Sequence, residues 1–437
     1  MAKPTRSRWF TKLALATIAI LSIALQACGS SSQSSSGPVN LTFWSWVPNI
    51  QKSVDLFNST HSNIHVTLNS VTAGNNGTYA KMLTALKAGN APDLGQIEYQ
   101  FLPTFESVGG LVDLSQYGAS SLQSDFVPWT WKQVTVGNAV YAIPQDSGPE
   151  AMFYRKDLFT KYNLPVPTTW AQFQQDAVAL HTADPSAYIT DFPPKDAGWF
   201  IGLIWQAGGR WFRINGQSWN INVNDTASMQ VASYWQNMLS NNLVKTDPDF
   251  STAWYNDLQT GTVATWLTAV WGANTIMSNA PSTSGDWAVA PMPQWTAGQQ
   301  VYGNWGGSTT VVFKDSKYPQ QAAEFAQWLN TNSQSVQDMV QGAQLYPALQ
   351  SALSSSYINQ PSAFYGNQNI YQVFQTISGN VDVNFQWGPT MNQVFQDMSD
   401  SFSNVTNGQG TLNSALNSLQ SSTVTYMQQQ GFSVNGG

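Results

Sequence analysis

Residues 141–170 read YAIPQDSGPEAMFYRKDLFTKYNLPVPTTW, and this stretch marks a change from one structural unit to another. It begins as a half-apolar strand, which Pro144 interrupts because proline cannot continue a central strand. Polar residues 145–150 follow, and apolar residues resume at 151–154. Two helix starts come next, the second of them at Trp170. This order of strand, break, strand and helix predicts that the chain leaves one lobe here and enters another.

Strand-like and helix-like segments alternate on both sides of this stretch. Upstream, residues 39–46 have the pattern of a strand, Asn49 is expected to cap a helix, and residues 78–87 have the pattern of a second helix. Downstream, a predicted strand at 287–290 runs into another proline-marked break at 291–293. Strands separated by helices of this length predict an α/β fold with a largely parallel sheet.

The N-terminus has the composition of an export signal. Four cations precede residues 13–25, an apolar run that is too short to span a bilayer. The next residues, Leu25-Gln26-Ala27-Cys28, resemble the lipobox of bacterial lipoproteins, which implies that residues 1–27 are removed and that Cys28 carries a lipid. A simple secretory signal with an incidental cysteine is the alternative. Residues 28–38 are rich in Ser and Gly and predict a flexible tether.

The composition of the remaining chain argues against some classes of function. Cys28 is the only cysteine, so an intrachain disulfide is excluded and thiol catalysis has no support. Without the four signal-peptide cations, the chain has 13 Lys and Arg against 24 Asp and Glu, and this acidic balance argues against nucleic acid as a partner. Its length predicts two domains. The 19 Trp and 16 Tyr suit partly exposed stacking surfaces, with core packing as the alternative.

Signatures of catalytic chemistry are absent from the sequence. The three histidines, His61, His65 and His181, do not have the spacing of metal ligands. No phosphate-binding loop, dinucleotide fingerprint or G-x-S-x-G nucleophile motif occurs. We therefore predict no metal, no cofactor and no catalytic residue. Paired carboxylates remain an alternative, because a glycosidase needs only two of them, and the candidates are Asp93, Glu98, Asp146 and Glu150.

An ordered set of motifs resembles a known family. Residues 88–93 read AGNAPD, residues 141–144 and 153–159 read YAIP and FYRKDLF, residues 167–170 read PTTW, and residues 322–329 read AAEFAQWL. Together they resemble the extracellular solute-binding proteins of ABC importers, in the large sugar-binding group that includes maltose-binding protein. The sequence departs from the family at Arg155, where Asn is usual, so that side chain receives no role by analogy.

The resemblance implies a periplasmic-binding-protein-like fold, in which two discontinuous α/β lobes are joined by a hinge. Transferring the family's chain crossings gives an N-lobe of residues 39–145 plus 291–331. The other lobe, the C-lobe, is then residues 146–290 plus 332–437. The two proline-marked breaks fall at two of these crossings.

The resemblance also implies a ligand cleft between the lobes. A sugar presents C–H groups on its faces and hydroxyls at its edge, so aromatic rings, carboxylates, amides and indole N–H groups suit its recognition. By family position, the predicted ligand-binding residues are Trp44, Trp46, Asn49, Gln96, Glu98, Tyr99, Asp146, Trp199, Trp205, Trp271, Trp305 and Trp387.

The function implied is capture of a sugar or oligosaccharide, followed by lobe closure and delivery to the permease subunits of an ABC importer. The protein would be a monomer without enzymatic activity, lipid-anchored at the outer face of the bacterial cytoplasmic membrane. Two alternatives remain: a binding protein for another polar solute, and a surface-anchored glycan hydrolase that uses paired carboxylates. A cleft rich in Trp and amides with few Arg argues against anionic solutes such as phosphate or sulfate.

Overall fold

The computed structural model describes residues 37–74 and 77–435, and the structural statements below concern those residues. The predicted signal peptide, Cys28 and most of the tether lie outside the described residues. Among the residues described, no helix combines the length and the apolar character needed to cross a membrane.

The described chain alternates between strands and helices, as the sequence predicts. The strands are β1 (Val39–Ser45), β2 (Ile64–Ser70), β3 (Leu94–Glu98), β4 (Thr135–Val136), β5 (Ala139–Val140), β6 (Ile143–Pro144), β7 (Glu150–Arg155), β8 (Thr190–Asp191), β9 (Phe212–Asn215), β10 (Ser218–Ile221), β11 (Val244–Lys245), β12 (Thr265–Ala269), β13 (Trp287–Pro291), β14 (Ser308–Val312) and β15 (Val434–Asn435). The α-helices are α1 (Gln51–Thr60), α2 (Thr78–Lys87), α3 (Leu102–Ser107), α4 (Pro128–Gln133), α5 (Lys156–Lys161), α6 (Trp170–Ala183), α7 (Ala197–Gln206), α8 (Thr226–Ser240), α9 (Thr252–Thr260), α10 (Gly272–Asn279), α11 (Pro319–Thr331), α12 (Ser333–Ala343), α13 (Gln350–Leu353), α14 (Ile370–Ser378), α15 (Met391–Thr406) and α16 (Leu412–Gln429). Short 3-10 turns occupy Tyr99–Phe101, Leu114–Tyr117, Ala119–Asp125, Pro281–Thr283 and Ala363–Tyr365.

The first sheet has five strands in the order β2-β1-β3-β14-β6. β1 runs parallel to β2 and β3, whereas β14 runs antiparallel to β3 and β6. Four of the five strands therefore run in one direction, as the predicted largely parallel sheet requires, and β14 alone runs in the opposite direction. Only parallel neighbours need a helical crossover between them, and β14 enters the sheet from a distant part of the chain instead.

The second sheet is built around β7, which pairs antiparallel with β12 on one side and β13 on the other. Helix α6 begins at Trp170, as predicted, because Thr169 and Gln172 form a reciprocal capping box at its start. Helices α7 and α8 pack beside the C-terminal helices α15 and α16 around this sheet. Both sheets are thus covered by helices, which is the arrangement of an α/β fold.

The chain passes between the two sheets more than once. Pro144 is still paired with Thr309 in the first sheet, and Glu150 already belongs to β7 of the second. The first passage therefore lies within the polar segment that follows the proline break. After β13 the chain turns back towards the first sheet. Gln294, just after β13, still contacts a helix of the second sheet, because its carbonyl accepts from the backbone N–H of Trp170 at 3.0 Å.

Helix α12 packs against the first sheet's α1. The Lys52 Nζ atom lies 2.8 Å from Asp338 Oδ1, and the Ser53 hydroxyl donates to the carbonyl of Ser335 at 3.2 Å. These contacts tie α12, which follows the expected crossing at 331, to the first sheet, and the lobe boundaries stay a prediction.

Candidate functional site

The first sheet contributes aromatic and acidic side chains where β1 and β3 end. Trp46 follows β1 and is half-buried, with its ring edge-on to Tyr79 at a centroid distance of 5.9 Å. The Tyr79 hydroxyl donates to Glu98 Oε2 at 3.0 Å. Glu98 ends β3, so one hydrogen bond fixes a carboxylate beside an indole ring. A ligand with many hydroxyl groups suits this arrangement, because the ring can cover its C–H face and the carboxylate can accept hydrogen bonds from its hydroxyls.

The second sheet contributes a matching set of side chains. Asp196 caps α7, accepting a hydrogen bond from the Trp199 backbone N–H at 3.1 Å, and its carboxyl contacts that of Asp249. The Trp271 indole N–H donates to the carbonyl of Trp305 at 3.1 Å, and the two rings meet edge to face with centroids 4.6 Å apart. These residues therefore form a second wall of rings and acids.

Acidic side chains of the two walls lie close to one another. Burial is the main cause of the raised pKa values of Asp196 and Asp146, and the charge of Glu98 on the first sheet adds to both. Such a charge interaction acts over a short distance. We call the region between the two walls the inter-sheet cleft and define it by Trp46, Glu98, Asp146, Asp196, Asp249, Trp271 and Trp305.

Burial shifts the titration of the cleft carboxyls. Loss of solvation raises the pKa of Asp146 to about 7 and that of Asp249 to about 7. Burial likewise raises the pKa of Asp196 to about 6 and shifts the pKa of Glu98 upward. The other charges that act on these four groups belong to carboxylates. The cleft is consequently acidic, and among the described residues no Lys or Arg is one of the groups that shift these four pKa values.

We expect these shifts to make the ligand-free protein more stable in mild acid. In the folded state the pKa of Asp146 is about 7, against an ordinary value of 3.8, so the folded chain binds more protons than the unfolded chain between those values. The free energy of unfolding therefore falls as pH rises through this window. Thermal midpoints measured between pH about 5 and pH about 8 test the sign.

The variants Asp146→Asn and Asp249→Asn should flatten this pH dependence. Asp184→Asn is the matched control, because the pKa of Asp184 is lowered to about 2 and it titrates below the window. A midpoint that rises steadily with pH in the wild type would contradict the expectation.

Two of the residues predicted to bind ligand, Gln96 and Tyr99, make hydrogen bonds within the protein. The Gln96 amide is buried and fully engaged: its oxygen accepts from the Ser45 hydroxyl and the Trp46 backbone N–H, and its nitrogen donates to Ser308. The Tyr99 hydroxyl donates to the Asp146 carbonyl at 3.1 Å. These two side chains hold the strand ends and the crossing segment in place, and their contact with ligand stays a prediction.

Two of the predicted tryptophans belong to the core. Trp199 is 2% exposed and its indole N–H donates to the Leu267 carbonyl, while Trp205 is 0% exposed and donates to the Asp382 carbonyl. Their polar atoms are satisfied by backbone and their faces are covered. Both side chains pack in the core of this structure, and their contact with ligand stays a prediction without support from it.

Two further predicted residues lie on β1 or shortly after it. Asn49 does not cap α1, because its amide donates to the Gly342 carbonyl at 2.7 Å and thus ties α1 to α12. Trp44 is half-buried on β1 and remains a predicted contact.

Trp387 lines a separate groove of about 580 Å³. Its side chain is 4% exposed and packs against Trp205 and Phe385. The groove also contains Glu106, and burial raises the pKa of that carboxyl to about 7. None of the residues that define the inter-sheet cleft lines this groove, so Trp387 contacts the buried Trp205 but is not brought together with the residues of the cleft.

The remaining candidate carboxylates are structural. The Asp93 side chain accepts from the Thr42 backbone N–H at 2.8 Å and from the Ser316 hydroxyl at 2.6 Å, which ties β1 to the segment after β14. Glu150 is 1% exposed, and neither carboxyl oxygen has a hydrogen-bond partner among the described residues. Burial, with the charge of Asp196 added, raises the pKa of Glu150 well above its ordinary value and so favours the neutral form of this carboxyl.

We expect Glu150→Gln to be tolerated. Gln is neutral and nearly the same size, so the free energy of unfolding should stay within about 1 kcal/mol of wild type. Glu150→Ala should cost roughly 1–3 kcal/mol instead, because it leaves a void beside Gly202 and Gly303. Urea unfolding of the three proteins provides the comparison. Equal losses in both variants would show that the ionised carboxylate is needed.

Sequence reasoning did not find Asp196 and Asp249. Asp196 precedes a helix, so its sequence signal was only that of an N-cap. Asp249 lies in a loop between β11 and α9 that matches no motif, and only the fold brings it to Asp196.

The described residues give no support for metal chemistry. Among them, no group of three or more His, Cys, Asp or Glu side chains has the geometry to hold a metal ion. Asp196 and Asp249 are in hydrogen-bond contact, which is closer than the roughly 5 Å or more that separates the two carboxyls of a glycosidase. That pair therefore does not have the spacing of hydrolytic catalysis.

Two helix-covered sheets, linked by several chain crossings and sharing a cleft of rings and acids, define a periplasmic-binding-protein-like two-lobe fold. A sequence profile of the bacterial extracellular solute-binding protein family matches residues 44–336. The chain belongs to this family.

Individual relatives agree with this assignment. The galacto-N-biose/lacto-N-biose I-binding protein of an ABC transporter from Bifidobacterium longum is 30% identical, with a TM-score of 0.82 over 91% of this chain and 99% of that one. A binding protein from B. animalis subsp. lactis Bl-04, solved with β-1,6-galactobiose, is 28% identical, with a TM-score of 0.77 over 92% and 100% of the two chains. The lactose-binding protein of Rhizobium radiobacter is 24% identical over 76% of this chain and 81% of that protein.

Proposed function

We propose that this protein captures a sugar or oligosaccharide in the inter-sheet cleft as the binding component of an ABC importer. The observation that carries the proposal is the cleft itself. Trp46 and Trp271 supply rings from opposite walls, and Glu98 and Asp196 supply acceptors from the same two walls. Aromatic faces with several oxygen acceptors suit a ligand that presents both C–H faces and hydroxyl donors. The relatives named above, which bind disaccharides, support the same class of ligand.

The lobes of this proposal are discontinuous, and the contacts favour boundaries later than those expected from the family. One lobe comprises residues 39–146 and 306–350, because β14 pairs with β3 and α12 packs against α1. The other comprises residues 147–305 and 351–435, built on β7, β12 and β13 with α14–α16.

The proposed mechanism is closure stabilised by ligand. A solute that touches both walls favours the closed arrangement by its difference in affinity for the two states. Asp146 lies in the crossing segment, and its Oδ1 accepts from the Ser308 backbone N–H at 2.8 Å, so a carboxyl of the cleft is also part of the hinge. Ligand contact and hinge geometry are thereby linked through one residue.

The proposal includes export and anchoring. The lipobox-like residues 25–28 support attachment of a lipid to Cys28 at the outer face of the cytoplasmic membrane, with residues 29–38 as the tether. In this arrangement the closed, loaded protein delivers its solute to membrane-spanning permease subunits and itself performs no chemistry.

Thermal unfolding with a sugar panel tests the proposal. A ligand that binds only the folded state adds RT ln(1 + [L]/Kd), or about 2.7 kcal/mol at a hundred times Kd, so a true ligand raises the midpoint. The panel consists of lacto-N-biose, β-1,6-galactobiose and lactose, with glutamine as a polar solute that is not a sugar. A rise with glutamine alone would contradict sugar binding. Release of new reducing ends from any panel sugar would support the hydrolase alternative instead.

A further inference from the structure

Phe250 is held in a backbone conformation that a bulky side chain rarely adopts. Its φ angle is +60°, in the left-handed region that Gly and Asn occupy at little cost. Its side chain is also 43% exposed, so the protein keeps a large apolar ring at a strained position without burying it fully. Packing alone does not explain this choice of residue, and strain of this kind is characteristic of binding sites.

The surroundings of Phe250 place it at the second wall of the cleft. Its ring lies 6.1 Å from that of Trp271, with an angle of 40° between the two planes, and its other neighbours are Trp254 and Trp266. The residue before it is Asp249, whose carboxyl contacts Asp196. The ring and the acid pair are therefore adjacent because they occupy consecutive positions of one loop.

The acid pair receives few hydrogen bonds from the rest of the protein. The Asp249 carboxyl is in contact with that of Asp196, and among the described residues no N–H or hydroxyl group donates to the buried Asp249 Oδ2. The interactions that act on Asp196 and Asp249 come from other carboxylates and from backbone N–H groups, with no cation among them. A ligand that supplies hydroxyl donors satisfies these oxygens, whereas a ligand carboxylate would meet like charge without a counterion.

We propose that Phe250, with Trp271 and the Asp196–Asp249 pair, forms a subsite that stacks on the C–H face of an uncharged sugar ring and rejects sugar acids. This inference rests on the proposed function, and it names both the residue that determines specificity and the class of saccharide. The Phe250 ring covers the sugar face, and the acid pair accepts hydrogen bonds from hydroxyls at the sugar edge. The backbone strain at Phe250 is retained because it directs the ring into the cleft.

The variant Phe250→Gly separates a binding role from a packing role. Gly removes the ring and also relieves the left-handed backbone, so the ligand-free protein should unfold at the wild-type temperature or higher. Affinity for whichever of lacto-N-biose, β-1,6-galactobiose and lactose the wild type binds should fall about tenfold or more by calorimetric titration. Tyr318→Ala removes an aromatic side chain that is also 42% exposed, and it should leave affinity unchanged.

Each outcome has a definite meaning. Unchanged affinity in Phe250→Gly, or a large fall in its unfolding temperature with affinity retained, overturns the inference alone. A wild type that binds none of the three sugars overturns the proposed function and the inference with it. Digalacturonic acid tests the charge requirement, because the wild type should not bind it. Binding as tight as that of the neutral disaccharides would overturn the rejection of sugar acids.

Discussion

Gly148→Ala should lower the free energy of unfolding by about 3 kcal/mol or more, because the methyl group has no room at the first chain crossing. A Cβ at this position would overlap the carbonyl oxygen of Trp305 and lie 2.9 Å from its carbonyl carbon. Both are backbone atoms, so no side-chain rotation relieves the contact. The Gly148 N–H donates to Asn304 Oδ1 at 2.8 Å, and its carbonyl accepts from the Trp305 N–H at 2.8 Å. Moving the segment away would break both bonds.

Gly379→Ala is the matched control for this change. A Cβ there meets nothing closer than 3.7 Å, and the φ angle of −69° suits alanine. Its free energy of unfolding should stay within about 0.5 kcal/mol of wild type. Guanidinium unfolding of the two variants beside wild type gives the difference directly. Equal midpoints for all three proteins would show that the segments around Gly148 and Trp305 move apart at little cost in free energy.

Trp271→Ala should weaken sugar binding by roughly 1–3 kcal/mol, or about 5- to 150-fold, as expected for loss of a large aromatic contact. Trp271 is half-buried beside Trp305, to whose carbonyl its indole N–H donates, so the ring is held in place while part of it stays accessible to solvent. Titration of wild type and variant with the panel sugar that binds provides the measurement.

Trp271→Phe is the graded control, since it keeps a ring and removes the hydrogen bond to Trp305. It should retain more affinity than the Ala variant. The Ala variant should remain folded, which circular dichroism establishes independently of binding. An Ala variant that is folded and binds as wild type would remove Trp271 from the site.

The order of strands and helices was readable from the sequence because it depends on local periodicity and on turn residues. The break at Pro144 and the helix start at Trp170 are both present in the structure, the latter with its capping box. Sequence did not show that β14 runs antiparallel between β3 and β6, or that α12 packs against α1. Those features join residues far apart in the chain, for which local patterns carry no signal.

The site was less predictable than the fold, and the tryptophans show why. Trp205 and Trp271 were both predicted to contact ligand, yet one is fully buried and the other is half-buried beside the cleft. Their difference depends on which helices cover them. Asp249 and Phe250 lie in a loop without a sequence motif. Phenylalanine rarely adopts a left-handed φ, so the sequence does not indicate the backbone conformation of Phe250. Arg155, the departure from the family motif, has a local role, because it is buried and forms two hydrogen bonds to Asp157.

The position of β14 between β3 and β6 has a consequence for the order in which the protein folds. Ser308 pairs with Glu98, so the first sheet joins segments about two hundred residues apart in the chain. While the chain is being synthesised, β3 keeps an open edge until residues 308–312 have emerged. Unpaired edges of this kind attract other strands, and pairings between distant segments form slowly. We therefore expect nascent chains of this protein to stay incompletely folded until their last third is made, and to need protection from aggregation during that interval.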